Sequence, residues 1–274
     1  GSKARDNTYN TLIEHTLNFN KDFDKHHVDA VLGMTYQHDK WQGLSGSRLN
    51  FPFVNGDYLM VLDAGQSNMT NANSIRESAM MSYLGRLNYN YDNTYYFSAT
   101  FRHDGTSRLH KDYRWGTFPS FSAAWRISKE RFFDVPWIDD LKLRANWGRL
   151  GNSSIGNWDY LGTVNQSLVT VFNNKIVPGA SQIRIVNEGL KWETKETTNI
   201  GFDAFMLNNR LGLSAEYYYS KTKDVLATIN IPMTTGNDGG RPRANAASLR
   251  NTGFELTASW RDQIDDFKYS ASLN

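Results

Sequence analysis

The alternation of apolar and polar residues at every second position is the feature of this sequence that most limits its possible folds. It is clearest in a stretch whose alternate positions are Tyr83, Gly85, Leu87, Tyr89 and Tyr91 and then, after Asp92-Asn93, Tyr95, Phe97, Ala99 and Phe101. A period of two is that of a β-strand, and a short polar turn between two such runs predicts a β-hairpin. In water the apolar face of a hairpin covers a core, whereas in a membrane barrel it contacts lipid and the polar face lines the lumen.

The same period predicts ten strands. They lie near residues 9–19, 27–38, 83–91, 95–101, 117–127, 140–149, 195–207, 210–222 and 248–261, and a tenth starts near Phe267. Short connections follow the odd-numbered strands, and the one after the fifth strand is expected to include a helical turn over 128–133. Long connections follow the even-numbered strands, near 39–79, 104–116, 150–194 and 223–247. This alternation places the tight turns at one end and the large loops at the other, as in outer-membrane barrels, whereas the crossings of a Greek-key sandwich would break it.

The distribution of charge between the two faces indicates which solvent each face meets. The apolar faces carry no Lys, Arg, Asp or Glu at mid-strand, and His15 is their one polar exception. Because a Lys or Arg at the bilayer midplane costs about 2–4 kcal/mol, a charge-free face is a requirement of lipid contact. Aromatic residues also gather at both ends of the strands, as they do at the two membrane interfaces. The charges that we expect to face the lumen include Arg86, Arg102, Arg144, Glu216 and Glu255.

Composition excludes several other classes of protein. The hydrophobic share is only 39% although aromatics reach 14%, which suits strands that need one apolar face each. A net charge of +2 gives no basic excess for nucleic acid, so no nucleic-acid partner is expected. The absence of cysteine excludes disulfides and thiolate metal sites. No apolar run approaches the roughly 20 residues of a membrane-spanning helix.

Five runs of sequence carry a resemblance to a known family. They are FSATFRHDGTSRL (97–109), RWGTFPSFSAAWRISKERFF (114–133), DDLKLRANWGRLGN (139–152), the run from 190 to 226 and NTGFELTASWRD (251–262). Together, and in this order, they resemble the barrel of SusC/RagA-type TonB-dependent transporters over nearly the whole chain, most strongly from Ser82 to Asn274.

The resemblance implies a transmembrane barrel of the type with about 22 strands and a plugged lumen, in the outer membrane of Bacteroidetes-type bacteria. It implies uptake of oligosaccharides or peptides, a SusD-like surface lipoprotein as partner, and energy from the TonB complex acting through the plug. We therefore expect residues 1–274 to be part of one all-β, antiparallel, up-and-down barrel domain, about ten strands of it, without the N-terminal plug and the C-terminal closing strands. Charges on the lumen face would then contact either water or the plug.

Ligand contacts are predicted in the long loops. Sugars bind to aromatic rings that stand beside planar polar groups, and the candidates are Trp41, Arg48, Trp115, Trp158, Asp159, Tyr160, Asn237 and Asp238. Packing against neighbouring loops or against the lipoprotein is the alternative role for each of them, since loops are both functional and variable.

No catalytic residue, cofactor or metal is predicted. His103, Asp104 and Ser107 lie within five positions, but neighbours at a strand end point to opposite faces, which is the wrong geometry for a nucleophilic triad. His26 and His27 fit no metal-ligand spacing. A passive porin, a siderophore-type receptor and, from a different class, a soluble glycan-binding β module remain as alternative functions, and the sequence does not identify the substrate.

Overall fold

The computed structural model describes residues 1–162, 164–182, 185–232, 234 and 241–274. Its main feature is one antiparallel ten-stranded sheet in the order β1-β2-β5-β6-β7-β8-β11-β12-β13-β14, in which β1 and β14 are the edge strands. The strands of this sheet are β1 (Ser2–Phe23), β2 (His26–Leu49), β5 (Ser67–Tyr91), β6 (Tyr95–Thr106), β7 (Trp115–Arg126), β8 (Ile138–Asn152), β11 (Glu193–Met206), β12 (Leu211–Thr228), β13 (Arg243–Ile264) and β14 (Phe267–Leu273).

Two small hairpins lie inside the long connections. They are formed by β3 (Phe53–Val54) with β4 (Asp57–Tyr58) and by β9 (Val164–Phe172) with β10 (Lys175–Gln182), and neither was predicted. Short 3-10 turns cover Leu62–Ala64 and Ile127–Lys129, the second near the predicted helical turn. Within the described part of the chain, no helix is long and apolar enough to cross a membrane.

The prediction of ten consecutive antiparallel strands is confirmed, but several strands are longer than predicted at the loop end. β2 continues to Leu49 and pairs with β5 back to Ser67, so most of the predicted loop 39–79 is a long hairpin. Alternation fades there because backbone pairing does not require it once neither face has to contact lipid. The predicted order of short turns and long loops is confirmed except around β7, where the loop-end connection 107–114 has eight residues and the turn-end connection 127–137 has eleven.

The tight turns follow from residue types that tolerate positive φ. The connection between β5 and β6 has three residues, and Asp92 and Asn93 adopt φ of 51° and 49°, the left-handed pair at the centre of the turn that the Thr94 N–H closes on the Tyr91 backbone oxygen at 2.9 Å. Asn208 and Asn209, between β11 and β12, have φ of 59° and 60°. These turns match the right-handed twist of the strands that they join and so fix the register of each hairpin.

The register aligns the apolar positions of neighbouring strands into one continuous surface. Leu143 lies opposite Phe202, Phe202 opposite Ala215, and Ala215 opposite Leu256. The exposed fractions of Leu143, Phe202 and Leu256 are 42%, 37% and 62%, so no second protein layer covers them in the part of the chain that the structure describes. A surface of this kind is unstable in water and suited to lipid. We call it the outward face and the opposite side the lumen face.

The height of the apolar band on the outward face agrees with a membrane. On β12 the outward residues are apolar or aromatic from Leu211 to Tyr219, and the next outward residue is Lys221. These nine residues cover about 30 Å along the strand, or about 23 Å of height at a tilt of about 40°, close to the height of about 25 Å of the apolar band of outer-membrane barrels.

Six of the eight buried apolar residues of the described chain gather at the loop end of the lumen face. Phe118 and Trp192 pack edge to face with ring centroids 5.2 Å apart, and the Trp192 indole N–H donates to the backbone oxygen of Arg114 at 2.9 Å. The full cluster is Leu109, Phe118, Ile155, Tyr160, Leu190 and Trp192, with Met80 and Leu226 packed against it. This cluster connects the loops to one another and to the sheet.

Candidate functional site

The lumen face carries a charge cluster centred on Arg144 of β8. The Arg144 guanidinium donates to the carboxylate of Glu216 and pairs with Asp203 at 3.3 Å. The Ser214 hydroxyl donates to Asp203 at 2.8 Å and also lies 3.4 Å from the guanidinium. Hydrogen bonds to charged groups are the stronger ones, so this network fixes the Arg144 side chain against the wall.

Gly201 makes this network possible. Along the register, Arg144 is followed by Gly201 on β11, Glu216 on β12 and Glu255 on β13, so the guanidinium crosses a whole strand to reach Glu216. A Cβ at position 201 would lie 3.3 Å from the Arg144 Cζ and 3.2 Å from the Glu216 Cα. Glu255 stands directly opposite Glu216, so the row, with one cation and two carboxylates, is acidic. Lys142 lies opposite Asp203 in the register and is a second cation beside the row.

Beside this row, the turn-end half of the lumen face forms an open concavity of about 500 Å³. Polar side chains line much of it, and Asn88 holds two neighbours, donating to Asp29 at 2.8 Å and accepting from the Ser98 hydroxyl at 2.6 Å. The remaining polar lining residues include His27, Asn90, Ser122, Lys142 and Asn146. Such a surface is compatible with water or a polar solute.

A second groove, of about 450 Å³, lies at the loop end of the lumen face. The Arg102 Nε donates to both carboxylate oxygens of buried Asp104 at 2.8 Å, and its Nη2 lies 3.4 Å from the Ser82 hydroxyl. Arg108, the rings of Phe118 and Trp192, Met80 and residues 150–154 also line this groove. Sequence reasoning missed Arg108 and Trp192 because the contacts that bring them here join residues distant in the chain.

The five predicted lumen residues lie on the face opposite the apolar band. Arg102, Arg144, Glu216 and Glu255 take the positions described above, and Arg86 lies in register with Val31 and Thr100. The structure therefore brings Arg144, Glu216 and Glu255 into one row and leaves Arg86 and Arg102 apart from it.

Two of the predicted loop residues lie on β2 instead of in a loop. Trp41 is on the lumen side of the strand, and the Arg76 guanidinium lies 5.0 Å from the centre of its ring. Arg48 ties down the segment that follows it, since its guanidinium donates to the backbone oxygen of Asp63 at 2.8 Å and pairs with the Asp63 carboxylate at 3.2 Å.

The other predicted loop residues are dispersed. Trp115 lies on the outward face, stacked on His103 at a ring distance of 4.8 Å. Tyr160 is 7% exposed inside the loop cluster, whereas Trp158 is 49% exposed. Asp159 accepts a hydrogen bond from the Gly156 backbone N–H at 2.8 Å and lies 3.6 Å from the Arg243 guanidinium. Asn237 and Asp238 lie outside the described residues.

At the turn end, one carboxylate holds two aromatic side chains of the outward face. Glu130 accepts from the Tyr95 hydroxyl at 2.5 Å and from the Trp125 indole N–H at 3.0 Å, and the two rings stack at 6.4 Å. The hydrogen bonds from Tyr95 and then Trp125 hold the pKa of the Glu130 carboxyl below its ordinary value. Aromatic rings with an apolar body and a polar tip are typical of a membrane interface.

Comparison with known proteins places this architecture in a family. The family described as "TonB dependent receptor-like, beta-barrel" matches residues 1–274. TonB-dependent receptor P3 of Formosa agariphila is 33% identical over 270 residues, which are 98% of this chain and 27% of the relative. TonB-dependent receptor SusC of Bacteroides thetaiotaomicron is 39% identical over 202 residues, which are 72% of this chain and 20% of the relative.

Solved structures agree with this. The RagAB peptide importer in the "closed-closed" state matches with a TM-score of 0.85 and 25% identity, over 99% of this chain and 30% of that one. The ferripyoverdine receptor of the Pseudomonas aeruginosa outer membrane, with a TM-score of 0.54 and 12% identity over 99% of this chain and 33% of that one, shares the fold alone. The chain thus spans 20–27% of the length of the two curated relatives. It belongs to the TonB-dependent receptor-like β-barrel family of the bacterial outer membrane.

Proposed function

We propose that this chain forms part of the wall of an active importer that takes up oligosaccharides or peptides across the outer membrane. A SusD-like lipoprotein would close the loop end, and the TonB complex would supply energy through a plug. The observation that carries the proposal is the match to the RagAB peptide importer over 99% of this chain at a TM-score of 0.85. The similarity to SusC supports it independently.

In this proposal the lumen face has two tasks. Its amide and hydroxyl groups, such as Asn88 and Ser98, offer hydrogen bonds to a hydrated solute. Its charges, foremost Glu255 of the acidic row and the cation Arg86, pair with a plug of complementary charge. Arg102, Arg144 and Glu216 are exceptions, since the wall already pairs Arg102 with Asp104 and Arg144 with Glu216.

Among the predicted ligand residues, two are the best placed to contact a substrate. Trp41 presents its ring on the lumen side with a guanidinium beside it, and Trp158 is exposed in the loop between β8 and β11. Aromatic rings give a solute apolar contact, and a neighbouring Arg adds hydrogen bonds to it. Arg48, Asp159 and Tyr160 are already engaged within the protein, and Trp115 lies on the outward face.

Uptake by the native bacterium tests the proposal. The full-length gene is deleted and restored, and uptake of fluorescently labelled oligosaccharides and peptides is measured with and without a protonophore. An active importer stops when the proton gradient collapses, whereas a passive porin continues, so protonophore-resistant uptake would refute the proposal. Uptake of labelled ferric siderophores in a parallel arm would instead indicate a siderophore-type receptor.

Variants locate the substrate path. Trp41→Ala and Trp158→Ala should each lower uptake at limiting substrate, while Trp137→Ala, at the opposite end of the sheet, should leave it unchanged.

The exposed apolar face argues against the alternative of a soluble glycan-binding module, because large uncovered apolar surfaces cause aggregation in water.

A further inference from the structure

A row of charged side chains lies on the outward face just beyond the apolar band. The register places Arg149 of β8 opposite Glu196 of β11, Glu196 opposite Lys221 of β12, and Lys221 opposite Arg250 of β13. Lys223 is the next outward residue on β12. These five residues, which we call the basic row, include four cations and one carboxylate.

The row stands at a defined height. On the side toward the apolar band, the next outward positions on the four strands are Trp147, Thr198, Tyr219 and Thr252, which the register also aligns. Trp and Tyr mark the boundary between hydrocarbon and head groups. The basic row is therefore the first row on the loop side of that boundary, at the level of the lipid head groups.

One carboxylate does not neutralise the row. Glu196 accepts from Arg149 at 2.7 Å on one oxygen and from Lys223 at 3.1 Å on the other. Lys221 and Arg250 are exposed and have no ion-pair partner among the residues that the structure describes. This excess of positive charge is local. On the same side of the apolar band, Lys40 of β2 and Glu77 of β5 lie opposite one another and neutralise each other in an ion pair at 2.7 Å.

We propose that the basic row binds a phosphate group on the head group of a lipid in the outer leaflet. Cations at a membrane surface attract anionic head groups, and an Arg beside a Lys offers a phosphate both a planar fork and a point charge. The Glu196 carboxylate holds Arg149 and Lys223 in place, and Lys221 and Arg250 remain available to the ligand. Trp147 and Tyr219 contact the upper part of the same lipid.

The position of the row indicates a lipid instead of free phosphate as the ligand. The row lies on the surface that faces the bilayer, with rings below it that suit a chain-bearing molecule. Its cations project away from the lumen, so they are not placed to guide a solute through the barrel.

Titration of the full-length protein tests the proposal. The protein is purified in dodecyl maltoside, diphosphorylated lipid A is added, and bound lipid is measured by native mass spectrometry. Lys221→Gln with Arg250→Gln should weaken binding about thirtyfold, which corresponds to about 1 kcal/mol for each cation lost at a membrane surface. Lys221→Arg with Arg250→Lys keeps both charges and should keep most of the binding.

A matched control removes the same charge from the other face. Lys195 is next to Glu196 on β11 but faces the lumen, as Lys268 does on β14, so Lys195→Gln with Lys268→Gln should bind the lipid as the unmodified protein does. Equal weakening by this pair would overturn the proposal, because it would show an effect of net charge alone. Equal binding of lipid A without phosphate would overturn it as well. Inorganic phosphate that competes at the concentration of the lipid would show a free-anion site instead.

Discussion

Arg144 and Glu216 are held together across a strand to which neither belongs, and the residue between them on that strand is Gly201. The arrangement requires three features at once: a long planar cation, a carboxylate two strands away and a position without a Cβ. It joins β8, β11 and β12 by side chains in addition to their backbone ladders. It also explains why a glycine occupies the centre of a transmembrane strand, where glycine is otherwise unfavourable.

Gly201→Ala should destabilise the barrel. The added Cβ would stand 2.5 Å from the backbone oxygen of Ala215, so β11 and β12 would have to separate. We expect a loss of about 1–3 kcal/mol in the free energy of unfolding, typical of overpacking. Urea unfolding of the full-length protein in detergent measures it. Gly33→Ala is the matched control on the same face, since its Cβ would find its nearest neighbour at 3.6 Å; a loss as large there would contradict the explanation.

Arg144→Met should also destabilise the protein, because it leaves Asp203 and Glu216 without their shared cation. A hydrogen bond to a charged group contributes about 1.5–3 kcal/mol, and we expect a loss of that order. Glu216→Gln alone should cost less, since Arg144 keeps its contact with Asp203 at 3.3 Å. A double-mutant cycle in urea isolates the pair, and a coupling energy near zero would show that the contact contributes nothing to stability.

The sequence predicts the faces of the strands much better than their contacts. Alternation alone assigns Leu143, Phe202 and Leu256 to the outward face. A strand has only two faces, and lipid excludes charged side chains from the face that it contacts. The crossing at Gly201 could not be predicted, since it depends on the register of β8, β11 and β12. Register between distant strands leaves no local signal when both are already amphipathic.

The loop residues show the same limit more strongly. The residue type of Tyr160 and its Gly- and Asn-rich surroundings predict a ligand residue, yet it packs with Leu109 and Leu190, which are distant in sequence. The sequence places Trp115 in a loop because the apolar alternation is weak there, although β7 already begins at this residue. Whether an aromatic side chain contacts a ligand or packs inside the protein depends on contacts with residues distant in the chain, which the local sequence does not show.

The stability of the turn end should depend on pH through Glu130. Its hydrogen bonds from Tyr95 and Trp125 favour the carboxylate, so the folded-state pKa lies below the ordinary value of 4.5. The sign follows from linkage: the contribution is fully present above that ordinary value and is lost as pH falls through the lowered folded-state pKa. The midpoint temperature of unfolding should therefore fall on acidification, and Glu130→Gln should make this fall smaller.

The control for that prediction is Asp134→Asn, which removes a carboxylate from the same connection without affecting either hydrogen bond. It should show the pH dependence of the unmodified protein. If Glu130→Gln and Asp134→Asn behaved alike, the shared carboxylate would not be the source of the acid sensitivity.

The assignment of the outward face to lipid can be tested by one pair of adjacent substitutions. Leu256 points outward on β13 and Thr257 points to the lumen, so Arg at these two positions places the same charge in two different solvents. Leu256→Arg should cost about 2–4 kcal/mol, whereas Thr257→Arg should cost little, because the lumen face is already polar. The measurement is urea unfolding of the full-length protein in lipid vesicles, where the bilayer supplies the apolar solvent. Equal costs at the two positions would mean that both faces contact water. The assignment of the outward face to lipid would then be wrong.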